Sequence, residues 1–301
     1  MSRAEQHVVL LDGGLGRELA RRGFDLPDAM WSGAALLVAP ELVGEVHRAF
    51  LEAGADVITA NTYGVTPVEL VRAGLRSGEH EKLISSAIEI AREAIVRVGR
   101  PARVAGSVGP AGRSYRPDTL PDRRVVLERF DSQVAALVRA GVDIVLGETL
   151  SSLTEADAFL EACANAGVRE AWVGFALASD GRLRTGEQLA TVAPALIDAG
   201  ASVVLANCCG TEAVAEAANR GWPATGRWGF YCNALAEATP DYSFEVDGPL
   251  DEVSLSPRGY AEFCASHLER GVSVIGGCCG IGPPHITELR RLIDQYELSF
   301  S

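Results

Sequence analysis

Histidine is scarce in this 301-residue chain. There are five, His7, His47, His80, His267 and His285, and no H-x-H or H-E-x-x-H pattern joins them. A zinc held by imidazoles, of the kind that acidifies water for hydrolysis, therefore lacks a ligand set. Basic charge is also short, with 27 Lys and Arg against 40 Asp and Glu and a net charge of −13. A nucleic-acid partner calls for a basic face, so that class is set aside. Acidity by itself selects no substrate. Long apolar runs are missing: no segment reads as a membrane span, and no membrane role is expected. The start, "MSRAEQHVVLLDGG", has no apolar core of signal-peptide length, which makes the cytoplasm the expected location. In that compartment the seven cysteines are expected to be free thiols rather than a disulfide framework. No linker or low-complexity stretch divides the chain, so one domain over 1–301 is expected.

What the chain does have is a recurring phrase. It reads "FLEAGADVITAN" at 50–61, "LVRAGVDIVLGE" at 137–148 and "LIDAGASVVLAN" at 196–207, with looser copies at 162–176 and 268–277. Each joins a helical stretch to a β-branched run through a glycine: Gly54, Gly141, Gly167, Gly200 and Gly271. Glycine suits the left-handed position just past a helix end, and the run suits a strand buried on both faces. Adding "HVVLLD", "ARVAGS" and "RWGFY" gives eight strands, centred near 9, 58, 105, 145, 174, 204, 229 and 274. Eight β-α units point to an α/β fold, a (β/α)₈ TIM barrel. The rival, an open doubly wound sheet, is weakened because no G-x-G-x-x-G follows the first strand. The long strand-to-helix loops, 13–39, 108–121, 178–187 and 233–257, would crown the C-terminal ends of the strands, where barrel sites are built.

Polar and thiol residues end these apolar strands. They are Asp12, Asn61 and Thr62, Ser107, Glu148 and Thr149, then Asn207 with Cys208 and Cys209, Tyr231 with Cys232 and Asn233, and finally Cys278 and Cys279. Cys163 and Cys264 lie on helical patterns and read as buried small hydrophobes, as Cys232 can. The two Cys-Cys pairs are harder to explain by packing. Neighbours in a strand face opposite ways, so Cys278 and Cys279 share one centre only if the chain turns. Gly276, Gly277 and Gly280 are expected to permit that turn. One cysteine of 208–209 then completes a three-thiolate set with an open fourth position. Soft thiolates select zinc in the cytosol. Such a centre carries a net −1 and is a poor hydrolytic Lewis acid, yet it can hold a substrate thiol as thiolate. An ordinary thiol pKa is about 8.5. The expected reaction is attack by that thiolate on an electrophilic carbon. Most histidines read as helix-surface or strand-start residues, and His285 as a capping or supporting one. The rival classes are a non-enzymatic structural-zinc or thiol-sensing protein, a vicinal-disulfide redox protein, and a zinc hydrolase. These predict, respectively, four protein ligands, loss of activity on reduction, and a general base beside the metal.

The motifs "DGGLGREL" at 12–19, "MWSGAAL" at 30–36, "HRAFLEAGADVITANTYG" at 47–64, "GSVGPAG" at 106–112, "ETL" at 148–150, "NCCG" at 207–210 and "GGCCGIGPPHI" at 276–286 resemble the zinc-dependent homocysteine S-methyltransferases, in order and over nearly the whole chain. The resemblance implies a (β/α)₈ barrel with Zn²⁺ on Cys208, Cys278 and Cys279, the family's ligand being the cysteine directly after the asparagine. It implies homocysteine sulfur as the fourth ligand, with Asp12 and Glu148 at the homocysteine amino group and Asn61 and Thr62 lining the pocket. Asn233 is kept where relatives carry "YPNSGE", but the rest of "FYCNALAE" at 230–237 departs from that pattern, which opens the question of the donor pocket. The short bacterial and plant relatives use S-methylmethionine or S-adenosylmethionine, so a sulfonium donor is implied. Trp31 and Tyr63 are candidates to contact it. A betaine-like donor and a thiol or selenol acceptor other than homocysteine are the alternatives within the family. A homo-oligomer is compatible with the sequence and not selected by it.

Overall fold

The computed structural model describes residues 7–239, 241–242 and 247–298. Eight parallel strands follow one another around a barrel: β1 (Val9–Leu10), β2 (Val57–Ala60), β3 (Arg103–Val108), β4 (Ile144–Leu150), β5 (Ala171–Phe175), β6 (Ala201–Asn207), β7 (Trp228–Cys232) and β8 (Val274–Gly277). They pair in the order β1-β8-β7-β6-β5-β4-β3-β2. The last seam closes through a parallel bridge between Leu11 and Val57, with Asp56 N–H on the Leu10 carbonyl at 2.8 Å and Asp12 N–H on the Val57 carbonyl at 3.0 Å. Each strand centre inferred from sequence falls within, or at the edge of, an observed strand.

Helices wrap the outside because one stripe of each is apolar. Helix Pro40–Glu52 starts with proline at its first turn and buries Val43, Val46 and Phe50. Helix Arg123–Ala140 ends at Gly141, whose φ of +77° lets the chain reverse into β4. The equivalent Gly54, Gly167, Gly200 and Gly271 also take positive φ, so the repeated glycine does mark one recurring helix stop.

Period-two alternation sorts the strand side chains into two cores. Val9, Leu11, Val57, Ala105, Leu146 and Trp172 belong to an inner cluster that fills the barrel. Leu10, Ile58, Val104, Val145 and Val173 pack outward against the helices. Trp172 is fully buried in the inner cluster and its indole N–H donates to Glu170 at 2.9 Å. Glu170 also pairs with Arg103 at 2.7 Å, and Asp56 with Arg100 and Arg290 at 3.1 and 3.2 Å. These ties gather residues at the N-terminal ends of the strands, the end that carries stability in this fold.

Three local expectations change. The stretch 13–39 is not a plain loop: it holds helix Leu15–Arg21, a 3₁₀ turn at Trp31–Ala34 and a short helix at Ala35–Val38. In the loop 233–257, Leu235 bridges Glu252 in antiparallel fashion, while residues 240 and 243–246 lie outside the described residues. Of the glycines around the second cysteine pair, only Gly280 has a positive φ, at +83°. Gly276 and Gly277 stay in β8 for want of space: a Cβ on Gly276 would lie 2.4 Å from the Leu11 Cβ, and one on Gly277 would lie 2.1 Å from Ile281 Cγ2.

Gly276→Ala is therefore expected to cost about 1–3 kcal/mol through overpacking between β8 and β1. Gly78→Ala, where nothing lies within 4 Å, is expected to stay within about 0.5 kcal/mol of the parent. Urea unfolding of the two variants checks this, and equal midpoints would contradict it.

Candidate active site and metal centre

The inner core ends at the C-terminal mouth in polar groups. Two places beyond Ala105, Leu146 and Leu205 come Ser107, Glu148 and Asn207 on the same strand faces. Above them lies a cavity of about 1020 Å³, lined among others by Asp12, Asn61, Glu148, Cys208, Cys278 and Cys279. That size sits at the upper end of the roughly 300–1,000 Å³ common for small-molecule sites, enough for more than one small substrate.

Strand parity alone would send Cys208 outward, opposite to Asn207. The backbone prevents this by taking φ = +48° at Cys208 while its N–H still bonds the Tyr231 carbonyl at 3.2 Å. The kink brings Cys208 to the mouth and leaves Cys209 in the outer core. Just past β8, Cys278 N–H holds the Cys232 carbonyl at 2.8 Å, and Ile281 N–H closes a turn on the Cys278 carbonyl at 3.0 Å. The outcome is that the sulfurs of Cys208, Cys278 and Cys279 all lie within 4.8 Å of one another. Zinc–thiolate bonds of about 2.3 Å in a tetrahedron need sulfur separations of about 3.8 Å, so slight contraction would accommodate an ion. Cys208 is buried, whereas Cys278 and Cys279 are half-buried and border the cavity.

Electrostatics separates these thiols from the rest. Cys208 is held well below the usual thiol range, first by hydrogen bonds from Cys278 and Cys279 and then by Tyr115 and Asn233. Cys278 and Cys279 are correspondingly pushed up, chiefly by their bonds to Cys208. The three thiols thus share protons in hydrogen bonds with one another, and a divalent cation would take the place of those protons. Burial pushes Cys163 and Cys209 up to about 12, and Cys232 and Cys264 up as well. Those four are buried packing groups, as expected for Cys163, Cys232 and Cys264.

Two carboxyls, buried Asp12 and half-buried Glu148, face the same space. Asp12 accepts the Thr59 N–H at 2.7 Å and the Thr59 hydroxyl at 3.0 Å. Glu148 accepts Ser107 Oγ and, at 3.1 Å, the Tyr231 hydroxyl. All these donors are neutral. Desolvation dominates, raising Asp12 from 3.8 to about 8 and Glu148 from 4.5 to about 7, against the hydrogen bonds that lower them. Glu148 is fixed by its neighbour: Thr149 has φ = +62°, and Asn207 clamps it, accepting its N–H at 2.9 Å and donating to its hydroxyl at 3.1 Å.

The other expected site residues have quieter positions. Asn61 lines the cavity, but Ser32 engages both ends of its amide at 2.8 Å, pinning the Trp31–Ala34 turn to β2. Thr62 is fully buried and donates to the Ser107 carbonyl at 2.8 Å, supporting the wall without lining it. Asn233 reaches Cys208 Sγ at 3.9 Å. Trp31 and Tyr63 both line the cavity. His285 accepts the Gly282 N–H at 3.2 Å just before helix Pro283–Leu298, a capping contact. The reading of the histidines as surface residues fails for His47, His80 and His267, which are buried; a helix carries an inward face that sequence position alone does not mark. Sequence reading missed Tyr115, whose hydroxyl donates to Cys208 Sγ at 3.0 Å from a loop without periodicity.

Residues 9–293 match the family described as homocysteine S-methyltransferase. The chain belongs to the homocysteine S-methyltransferase family. The homocysteine S-methyltransferase of Escherichia coli K12 is 30% identical, with 95% of each chain covered. YbgG of Bacillus subtilis, also a homocysteine S-methyltransferase, is 26% identical over 94% of this chain and 93% of its own. The selenocysteine Se-methyltransferase of Brassica oleracea is 27% identical over 96% and 90%. The metallated form of the homocysteine methyltransferase MmuM from Escherichia coli superposes with a TM-score of 0.79 at 27% identity, covering 95% and 96%. A solved relative that carries a metal and a cluster of three thiols in this chain together support a metal-binding site.

The raised carboxyls make a pH prediction. Folded Asp12 and Glu148 keep protons that the unfolded chain releases between about pH 4 and about pH 7–8, so their contribution to stability is lost as pH rises through that window. Glu148→Gln removes one such group. Its stability relative to the parent is expected to improve between pH 5 and pH 8, by about 1–3 kcal/mol. His47, lowered to about 4 by burial, works in the opposite sense but equally in both proteins, so it cancels. Melting temperatures across that range check this, and a flat difference would contradict it.

Proposed function

We propose that this chain, acting as a single barrel domain, methylates homocysteine to methionine with a sulfonium donor at a zinc ion held by Cys208, Cys278 and Cys279. The observation that carries this is the convergence of three thiols beside buried Asp12 and half-buried Glu148, with no protein cation bonded to either carboxyl among the described residues. Bound zinc would keep the homocysteine sulfur as a thiolate at neutral pH.

The chain's own residues do the rest. Asp12 and Glu148 are the partners for an α-ammonium, which supplies the countercharge they lack and returns both to their ionised forms. An amino acid fixed there presents its side chain toward the cysteine cluster in the same cavity. The methyl group is electrophilic on a sulfonium: its bond to the donor sulfur breaks as the bond to the homocysteine sulfur forms. The electron pair goes to the donor, which leaves as a neutral thioether. Opposite charges disappear in this step, so a cavity shielded from water favours it over bulk solution. Trp31 and Tyr63 offer aromatic walls to the cationic donor. Leu235, from the stretch that departs from the family pattern, and Tyr242 and Leu250, from the loop that follows it, also line the space, so donor choice falls to them. The structural-zinc alternative asks for four protein ligands, whereas three thiols cluster here on a side open to the cavity.

The test is an assay of zinc-loaded protein with homocysteine and, separately, S-methylmethionine, S-adenosylmethionine and betaine. Methionine is expected from a sulfonium donor. Cys208→Ala is expected to lose at least about a thousandfold in turnover, as loss of a group essential to nucleophile activation does. Cys209→Ala, which empties only a small space in the outer core, should keep most of it. Full turnover in Cys208→Ala, or betaine as the sole donor, would overturn the assignment.

A further inference from the structure

The three clustered thiols are not held alike. Cys278 and Cys279 are adjacent and are fixed together by one turn. Cys208 arrives alone from β6 in a left-handed conformation, and among the described residues it receives donors, Tyr115 and Asn233, that the other two do not. The shorter of these contacts comes from Tyr115, whose hydroxyl lies 3.0 Å from Cys208 Sγ and 3.3 Å from the Cys208 carbonyl. Tyr115 is itself held in an uncommon backbone state, φ = +68°, and is buried. Its ring packs against Tyr242 at 5.4 Å between centroids. The guanidinium of Arg184 stands over the same ring, 5.2 Å from its centre, and reaches the Ala238 carbonyl at 3.5 Å. Tyr115 lines the substrate cavity and Arg184 does not.

A cation on the face of a phenol draws electron density from the ring and makes its O–H a stronger donor. A stronger O–H donor to a thiolate withdraws charge from the sulfur and fixes its direction. We propose that Arg184 and Tyr115 form one positioning unit that sets the electron density and orientation of Cys208, with Arg184 acting through the Tyr115 ring. This rests on Cys208 being a metal ligand. Neither residue touches the reacting atoms, so the unit tunes the centre from behind.

The experiment uses the full chain loaded with cobalt(II) in place of zinc, without substrate, and reads the thiolate-to-cobalt charge-transfer absorption. Zinc affinity is read alongside by competition with a coloured chelator. Tyr115→Phe is expected to move the absorption to lower energy, because the sulfur lone pairs lose their donor, and to weaken zinc binding about tenfold or more. Arg184→Met, which keeps the hydroxyl, should move the band the same way by less, and Arg184→Lys should recover part of the shift. The Tyr115→Phe/Arg184→Met double variant should match Tyr115→Phe alone, since the arginine has then nothing to act through. An unchanged band in Tyr115→Phe, or shifts that add in the double variant, would overturn the proposal. Absence of any thiolate charge-transfer band in the parent protein would take the metal assignment down first, and this proposal with it.

Discussion

The left-handed backbone at Cys208 is the constraint on which the site depends. A regular β6 would put Asn207 in the barrel and Cys208 among the helices, two residues of one strand on opposite faces. One residue at φ = +48° brings both to the mouth: Asn207 to clamp β4, Cys208 to meet β8. A non-glycine residue in that region costs on the order of 1–2 kcal/mol. The cost is offset by bonds that the kink permits, Cys208 N–H to Tyr231, Asn233 N–H to Cys209 and Ala234 N–H to Cys279. Thr149, on β4, is strained in the same sense and stands next to Glu148. Strain gathers where side chains must leave the strand pattern to face a ligand.

A second theme is missing charge. Asp12, Glu148 and the cysteine cluster are potential anions around one cavity, and among the described residues the donors bonded to them are hydroxyls, amides and thiols. Desolvation of such groups without cations is unfavourable, and it shows as raised carboxyl pKa values. A metal, an ammonium and a sulfonium would each supply positive charge at a different point of the cavity. Substrate binding and neutralisation are then the same event, which ties affinity to the cationic character of what enters.

Much of the barrel was legible because its signal is periodic. The helix–glycine–strand phrase recurs often enough for its register to be read directly, and Gly54, Gly141 and Gly200 mark helix ends as their φ values require. The cysteine pairs were legible as a candidate centre because adjacent thiols at two strand ends exceed what packing asks for, although Cys209 itself packs in the outer core. What the residues alone left open was Cys208 against Cys209, since one backbone angle decides it; only family likeness chose between them. Gly276 and Gly277 differ from expectation for a related reason: glycine serves turns and tight spaces equally, and here the close approach of Leu11 and Ile281 decides which. The buried His47, the Ser32 clamp on Asn61 and the Tyr115 hydroxyl depend on tertiary contacts between distant segments, which leave no local pattern.

The most direct measurement is zinc K-edge X-ray absorption of the purified, zinc-loaded protein before and after homocysteine is added. The account predicts three protein sulfurs around the ion at about 2.3 Å and a fourth sulfur on addition of homocysteine. Nitrogen or oxygen making up most of the shell, or a sulfur count that homocysteine leaves unchanged, would contradict it.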